Sequence, residues 1–382
     1  VVAFKYIAAL YERFGVPAEE LEDYYELAAI ATVGDVMDLQ GENRILVKEG
    51  LCRLKNTKNQ GLQELIRANS LEDAKITAYH IGFVLGPCIN ASGRLDTAKR
   101  SLELLLERDE VKASALAGEL VELNESRRYM TQQETQKALE QIEKEGREKD
   151  KVLVVYLPEC HESLAGIIAG RIREMYNRPV FVLTRGEEGV KGSGRSTENY
   201  SMYENMCGCA ELFTKFGGHP MAAGLSLPEE NVEKFRRKIN ENCPLTVEEV
   251  CPDIHIDMAM PVGYASTELV HQFALLEPFG KDNPSPLFAD RNLSISRMWV
   301  IGKNRNVLRM SVLSEYGQPV PVIFFGDVET LFAYFTEKFG QKEVENALHG
   351  RKNRILFSMV YTAKIDFYQG NENLQLEMKY YR

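Results

Sequence analysis

The stretch that most constrains the fold of this chain is residues 110–148. It is rich in charged residues, has no glycine between Gly118 and Gly146, and places its leucines at helical spacing. At about 1.5 Å per residue, one helix over this stretch would be ~40 Å long or more. Because that is long for a helix of a domain core, we predict that it connects two domains.

The composition is that of a globular protein. The sequence has 382 residues, of which 44% are hydrophobic and 27% charged, and this length predicts two to three domains. It has no run of about 18 apolar residues, which argues against a transmembrane helix, and no signal peptide opens it. Its seven cysteines are scattered, which indicates free thiols in a reducing, cytoplasmic environment.

The charge balance limits how the chain could bind nucleic acid. A net charge of −10 argues against a surface that coats polyanions in general, so basic residues would have to be concentrated in a groove. The chain also begins at Val1 rather than at a methionine, within an apolar helical pattern. We therefore expect it to be a fragment of a longer protein.

From Lys151 onward, strand patterns alternate with helical patterns, as in an α/β domain. The predicted strands are 152–157, 179–183 and 224–227, and the predicted helices are 161–176 and 229–240. Two glycine-rich segments, Lys191–Ser196 and Phe216–Gly224, lie between these elements. We expect both to be loops at strand ends, where α/β domains bind ligands.

The glycine-rich segments contain the residue types of a phosphate site. Glycine lets backbone N–H groups approach a ligand closely. Arg195 offers a forked donor that fits phosphate oxygens, and His219 offers a donor or a proton carrier. The alternative is that the glycines form tight turns and that His219 has a structural role. The residue types alone leave both interpretations open.

Three further segments contain candidate functional residues. Residues 86–95 are polar and punctuated by glycine, and we expect a loop there before a helix at 97–107. Arg94, just before that helix, suits a bound anion, or else pairs with a surface carboxylate. Asp35 follows an apolar run and is either a helix cap or a metal ligand. Arg127 and Arg128 either belong to a solvated helix face or contact a backbone phosphate.

The C-terminal region is mostly strands. Five strands, with a helix before the fourth, predict a small barrel such as an OB-fold. The strands are predicted at 293–301, 307–312, 320–325, 355–365 and 374–380, and the helix at 328–339. Trp299, Phe324, Phe325, Tyr361 and Tyr368 are candidates to stack on bases, the alternative for each being the barrel core. Lys303 is one of several basic residues in this region.

These motifs, taken in order, resemble those of the RecJ-type single-strand-specific exonucleases of the DHH phosphoesterase superfamily. Ala31–Val36 resembles the fourth catalytic motif, and Asn90–Leu95 resembles the N-A-(A/S)-G-R-L signature. Lys191–Ser196 and Gly217–His219 resemble substrate loops of the DHH-associated domain. The stretch Leu276–Pro284 resembles the entry to the OB domain.

The resemblance implies a 5′ to 3′ exonuclease of single-stranded DNA in repair and recombination. Two Mn²⁺ or Mg²⁺ ions would activate water and stabilise the leaving oxygen, with Asp35 as a ligand. The resemblance also implies single-stranded DNA as the partner, and a single-strand-binding protein or a helicase as further partners. The implied DNA-binding residues are Asn90, Arg94, Lys191, Arg195, Ser196, Gly217, Gly218 and His219. Further candidates are His161, Arg127, Arg128, Trp299, Lys303 and Tyr361.

The chain departs from the family pattern in two places. The early aspartate motifs and the Asp-His-His motif are absent and would precede Val1, so no catalytic set is complete. Asp35 alone does not supply the ligands of a binuclear centre, so we expect this chain to bind no metal and to be inactive. Cys160–Ser163 stands where many relatives have Trp-His-Pro-Gly, which leaves the role of His161 open.

The sequence therefore predicts an α/β multidomain chain. The predicted parts are the C-terminal part of a DHH catalytic domain at 1–108, a connector helix at 109–148, a DHH-associated α/β domain at 149–246, a linker at 247–286 and an OB-fold β-barrel at 287–382. Two other functions stay open. One is a non-catalytic single-strand-binding module. The other is a DHH-type phosphodiesterase on short oligonucleotides or cyclic dinucleotides, which we would not expect to have an OB domain.

Overall fold

The computed structural model describes residues 1–95, 97–246, 249, 254–302, 305–368 and 370–382. Its internal contacts divide the chain into two compact units. The barrel unit comprises Val1–Lys5, Ala31–Gly50 and Ile254–Arg382, and the sheet unit comprises Tyr6–Ile30 and Leu51–Asp253. Lys303 and part of the predicted linker, residues 247, 248 and 250–253, lie outside the described residues.

The N-terminal region is helical. Its helices are α1 (Val2–Phe14), α2 (Tyr25–Gly34), α3 (Gly41–Leu54), α4 (Gln60–Ala68), α5 (Ala78–His80), α6 (Gly86–Leu95) and α7 (Lys99–Leu106). The prediction of a loop at residues 86–95 is wrong, because this segment is helix α6. Cys88 and Ala91 of α6 are fully buried, and the Ser92 hydroxyl lies 2.7 Å from that of Ser101. Burial of its small residues stabilises the helix despite its two glycines.

The long helix predicted from the charge pattern is present as α8 (Glu110–Lys144, 35 residues). Asp109 caps it by accepting a hydrogen bond from the backbone N–H of Lys112 at 3.0 Å. It packs against α4, α6 and α7 and also against the following α/β region. The helix therefore runs within the sheet unit, where both its halves bury side chains.

The α/β region holds a five-stranded sheet with helices on both faces. The strands are β1 (Leu153–Tyr156), β2 (Val180–Arg185), β3 (Val190–Arg195), β4 (Lys215–His219) and β5 (Ala222–Leu227). Their order is β1-β2-β3-β5-β4, and only β1 and β2 are parallel. Helices α8 and α9 (Glu162–Tyr176) cover one face. Helices α10 (Met202–Cys207) and α11 (Val232–Glu241) cover the other.

Both glycine-rich segments are strands, so the prediction that they are loops is wrong. They form β3 and β4, each paired with β5. The core explains two of the glycines, since a Cβ at Gly194 would lie 2.7 Å from the Phe181 ring and a Cβ at Gly192 would overlap Leu183. Glycine in β3 thus makes room for large side chains of the core on one side of the sheet.

The barrel unit contains β6 (Met258–Ala259) and five long strands, β7 (Phe288–Ile301), β8 (Val307–Leu313), β9 (Pro319–Phe325), β10 (Leu356–Tyr368) and β11 (Asn371–Tyr381). The barrel closes because β10 pairs with both β11 and β7. Helix α12 (Thr267–Gln272) precedes it, and α13 (Val328–Phe339) and α14 (Gln341–Leu348) lie between its third and fourth strands. This arrangement confirms the predicted OB-fold. No helix in the described part of the chain combines the length and hydropathy that a membrane crossing requires.

Candidate nucleic-acid interface

One side of the five-stranded sheet is only partly covered. Helix α9 packs on β2 and β3, while the residues that β4 and β5 present on this side are exposed or half-buried. We call this surface the open face. Its residues are Lys191, Ser193 and Arg195 of β3, Ala222, Gly224 and Ser226 of β5, and Lys215, Gly217 and His219 of β4.

The strand register arranges the open face in three rows. Arg195, Ala222 and His219 form the first row, Ser193, Gly224 and Gly217 the second, and Lys191, Ser226 and Lys215 the third. Neighbouring rows are about 7 Å apart, since two strand residues rise by that distance. The open face therefore has cationic side chains and a histidine at its two ends and a floor of glycine between them.

Arg195 is half-buried at one end of the open face. Its Nη1 donates to the Gly194 carbonyl at 2.8 Å. Burial lowers the pKa of Arg195, and the positive charges of Arg94 and Arg173 lower it further. Among the described residues, no carboxylate lies within ion-pair distance of Arg195, so most of its donors are available to a ligand.

Two more arginines extend the positive charge beyond Arg195, since Arg94 acts on Arg195 and also on Arg127. Arg94, at the end of α6, donates from Nη1 to the Ser163 carbonyl at 3.0 Å. Arg127 of α8 donates from Nε and Nη2 to Asn124 Oδ1 at 3.2 and 2.8 Å. Burial lowers the pKa of Arg127, and so do the nearby charges of Arg94, Arg171 and Arg128.

We call Arg94, Arg127 and Arg195 the arginine cluster. Like charges at close range raise one another's energy unless an anion compensates them. In the part of the chain that the structure describes, none of the three has a carboxylate partner. Guanidinium groups suit phosphate oxygens because their planar fork presents parallel donors. The arginine cluster is thus chemically suited to bind a phosphate.

Some of the residues predicted to bind DNA have structural roles instead. Ser196 is buried, its hydroxyl donates to the Tyr200 carbonyl at 2.5 Å and its backbone N–H to the Met221 carbonyl at 2.9 Å. Ser196 therefore shapes the turn after β3 and has neither donor free. Gly218 lies so close to β5 that a Cβ there would be 2.5 Å from the Ala222 carbonyl oxygen, while Gly217 has open space around it.

His161 is the N-cap of α9. Its Nδ1 accepts a hydrogen bond from the backbone N–H of Ser163 at 3.3 Å and lies 2.7 Å from the Ser163 hydroxyl. The imidazole therefore orients the residue whose carbonyl accepts from Arg94. Asn90 is exposed on α6 four residues before Arg94, which places both on one helix face. Arg128 is exposed on α8.

On the barrel, only some of the predicted aromatic residues are accessible. Trp299 is 38% exposed, the Arg297 guanidinium lies 5.7 Å from its ring centre, and Arg309 is its partner on β8. Tyr361 is completely buried and donates its hydroxyl to the Met260 carbonyl at 2.8 Å. Tyr361 therefore belongs to the barrel core, and its selection as a base-stacking residue is corrected.

Phe324 also belongs to the core, since it is only 8% exposed, whereas Phe325 is 56% exposed. Because side chains alternate between the two faces of a strand, one of two consecutive phenylalanines has to face outward. Trp299 and Phe325 are thus the residues from this set that offer a ring face to a base. Lys303, also predicted to contact DNA, is outside the described residues, and so is the side chain of Tyr368.

Asp35 follows the last residue of α2 and is exposed. Its backbone N–H donates to the Ala31 carbonyl at 3.0 Å, so it lies at a helix C-terminus and is not an N-cap. A carboxylate is unfavourable there because of the helix dipole, which makes capping a poor explanation for Asp35. Within the described ranges, no three His, Cys, Asp or Glu side chains group as a metal site would. The described residues therefore do not fit a binuclear metal centre.

Several residues of this surface were not predicted from the sequence. Arg171 and Arg173 add charge near the arginine cluster, Lys215 ends the third row of the open face, and Gly166 of α9 lies against Arg195. Lys215 has the same strand parity as Gly217 and His219, and that signal would have identified it if the segment had been predicted as a strand.

Two family models match this chain. The RecJ OB domain matches residues 256–380, and the DHHA1 domain matches residues 149–243. The first agrees with the closed barrel and the second with the five-stranded sheet. The presence of the OB domain is the feature that the phosphodiesterase alternative would not be expected to show.

Curated relatives of this chain are described as RecJ proteins, in agreement with the RecJ OB family model. The chain is similar to the "single-stranded-DNA-specific exonuclease RecJ" of Bacillus subtilis, with 34% identity over 83% of this chain and 40% of that protein. The Thermus thermophilus protein of that name is 36% identical over 75% of this chain and 41% of its own length. The Escherichia coli protein is 31% identical over 96% of this chain and 62% of its length. The chain thus spans about 40% of the first two relatives and more of the third.

The fold is similar to solved structures as well. A crystal structure of Thermus thermophilus RecJ with Mg²⁺ superposes with a TM-score of 0.79 at 27% identity, covering 98% of this chain and 54% of that one. The structure of the same protein with Mn²⁺ gives a TM-score of 0.79 at 28% identity, covering 98% of this chain and 51% of that one. The likeness therefore extends over nearly all of this chain.

Proposed function

Because the chain belongs to the RecJ family, we propose that it binds single-stranded DNA as part of a 5′ to 3′ single-strand-specific exonuclease of DNA repair and recombination. The observation that carries this proposal is the arginine cluster. It consists of Arg195, at one end of the exposed, glycine-floored sheet face, together with Arg94 and Arg127, and none of the three has a carboxylate partner among the described residues.

In this proposal the arginine cluster holds a phosphate of the strand. Arg195 and Arg94 supply forked donors, and Asn124 fixes the orientation of Arg127. His219 ends the first row of the open face, on the edge strand β4, and adds a donor beside the phosphate. Because successive N–H groups of a strand point to opposite sides, one of Gly217 and Gly218 directs its N–H away from β5, and that N–H is available to the same ligand.

The barrel would bind other nucleotides of the strand. Aromatic rings that stack on bases, together with cations that contact the backbone, are how OB-folds bind single strands. Trp299, Arg309 and Phe325 supply these groups on the outside of β7, β8 and β9. Binding by stacking is tolerant of sequence, as a nuclease that degrades any strand requires.

The described residues supply few of the metal ligands that hydrolysis requires. We propose that Mn²⁺ or Mg²⁺, the ions in the Thermus thermophilus RecJ structures, are the metals used and that Asp35 is one ligand. Such ions activate water in phosphodiester hydrolysis. Since the described residues do not complete a metal centre, we expect the chain alone to bind DNA without cleaving it. A single-strand-binding protein or a helicase in the cytoplasm is the proposed source of the substrate strand.

The test is fluorescence anisotropy with a labelled single-stranded oligonucleotide and with the same sequence as a duplex, across a salt series with Mn²⁺. Gel analysis of the same samples reports cleavage. We expect preference for the single strand and an intact oligonucleotide. Equal binding of both forms would contradict the proposed substrate. Cleavage would show that this chain has a complete metal centre.

A further inference from the structure

We propose that the third row of the open face is a second phosphate subsite, built around Lys215, that binds a nucleotide further along the same strand. This inference rests on the proposed binding of single-stranded DNA. It assigns Lys215, Thr184 and Ser226 to the DNA surface, and gives Lys191 and Glu162 opposite roles in it.

A cavity of about 440 Å³ lies at this end of the open face. Cavities of this size are in the range of sites for small molecules. Its polar lining residues are Lys191, Lys215, Thr184, Ser163, Ser193, Ser226 and Glu162. Ammonium and hydroxyl donors around a concave surface are suited to the oxygens of a phosphodiester.

The lining of this cavity includes one buried residue whose hydroxyl has no described partner, Thr184. The residue is fully buried and lies beside Lys191 in the sheet register. Its hydroxyl has no hydrogen-bond partner among the described residues. A buried hydroxyl without a partner is costly and uncommon in native proteins. An oxygen of a ligand in the cavity would give this hydroxyl its partner.

The charges of the cavity favour an anion. Lys215 is exposed and has no ion pair with any described residue, whereas Lys191 lies 2.7 Å from Glu162. That hydrogen bond raises the pKa of Lys191, so Lys191 stays charged at neutral pH. Glu162 leaves the cavity with one net positive charge. A phosphate that enters must compete with the Glu162 carboxylate for Lys191.

Distance separates this subsite from the arginine cluster. Lys191 and Arg195 are four residues apart on the same side of β3, which is about 13 Å along a strand. A ligand with one phosphate can occupy only one of the two positions, whereas an oligonucleotide reaches both across the glycine floor. The contribution of Lys215 should therefore depend on the length of the ligand.

The experiment compares the wild-type chain with Lys215→Met and Lys234→Met, using deoxythymidine monophosphate and a 5′-phosphorylated eight-nucleotide oligo(dT) as probes. Lys234 is an exposed lysine of α11, which packs on the other face of the sheet, so it is a matched control. We expect Lys215→Met to weaken octamer binding about tenfold, as loss of one charged hydrogen bond would. The salt slope should fall by about 1, while monophosphate binding and the Lys234 variant stay unchanged.

Two further variants test the subsite, and they should change octamer binding in opposite directions. Glu162→Gln frees Lys191 and should tighten octamer binding. Thr184→Val removes the unpartnered hydroxyl, so it should stabilise the free chain but weaken octamer binding. Normal octamer binding by Lys215→Met would overturn the subsite and leave the proposed function intact, as would equal weakening of the monophosphate. If the wild-type chain binds no octamer, the proposed function itself fails, and the subsite with it.

Discussion

The Arg195 guanidinium lies directly against Gly166 of α9. A Cβ built on Gly166 would come within 2.7 Å of Arg195 Nη2. The small residue in the helix therefore leaves space for the arginine at the place where α9 crosses β3. The position of this guanidinium is thus set by a contact between two elements that are distant in sequence.

Gly166→Ala should displace the Arg195 side chain and weaken binding of single-stranded DNA. The fold should tolerate the change, because the clashing atom is the end of a flexible side chain and alanine favours a helix by about 1 kcal/mol over glycine. Gly170→Ala in the same helix is the control, since a Cβ there meets nothing within 4 Å. Anisotropy titrations and thermal melts of both variants check this. Equal DNA binding by the two variants would contradict it.

Arg195→Ala should weaken DNA binding and lower the salt slope by about 1, because it removes one phosphate contact. Arg195→Lys should recover only part of the affinity, since an ammonium lacks the planar fork. Arg237→Ala, at an exposed position of α11, is the matched control. The measurement is the affinity of each variant across a salt series. An unchanged slope in Arg195→Ala would remove this residue from the interface.

Trp299→Ala should mainly weaken DNA binding, whereas Tyr361→Phe should mainly lower the stability of the fold. Trp299→Ala should cost about 1–3 kcal/mol of DNA binding if the exposed ring stacks on a base, with little loss of stability. Tyr361→Phe removes the buried hydrogen bond to the Met260 carbonyl and should cost about 1 kcal/mol of stability with normal DNA binding. Denaturant unfolding and anisotropy distinguish the two. Weaker DNA binding by a fully folded Tyr361→Phe would contradict the assignment of this ring to the core.

Two glycines of the sheet should respond differently to alanine. Gly194→Ala places a Cβ 2.7 Å from the Phe181 ring and should destabilise the chain by about 1–3 kcal/mol through overpacking. Gly217→Ala places a Cβ in open space on the open face and should leave stability nearly unchanged. Chemical denaturation of both variants measures the difference. Similar loss of stability in both would show that the two glycines do not differ in this way.

The cysteines should divide into reactive and protected groups. Burial raises the pKa of Cys160 to about 12 and that of Cys209 to about 11, so both thiols stay protonated at pH 8. Cys52 and Cys207 are exposed and should react with a thiol reagent in the native state, since the thiolate is the nucleophile. Mass spectrometry of the labelled chain identifies the modified positions. Labelling of Cys160 as fast as Cys52 would contradict the burial.

The sequence predicted the elements whose patterns are local. The charge-rich stretch at 110–148 predicted helix α8, and the strand patterns after residue 287 predicted the OB-fold, because hydrophobic periodicity reflects which side of an element is buried. The two wrong assignments share a cause. Glycine at 86 and 93 suggested a loop, and glycine at 192, 194, 217 and 218 suggested loops, whereas packing against other elements makes these segments a helix and strands.

The candidate site shows the same division. By itself, the sequence determined which chemical groups are present, including Arg94, Arg195 and His219, because charge and hydrogen-bonding capacity belong to the residue type. Only the tertiary structure decided which groups meet. Register pairs Arg195 with Ala222 and, through it, with His219, while burial uses up the donors of Ser196. These contacts join residues distant along the chain, and their free energy depends on neighbours that no local pattern specifies.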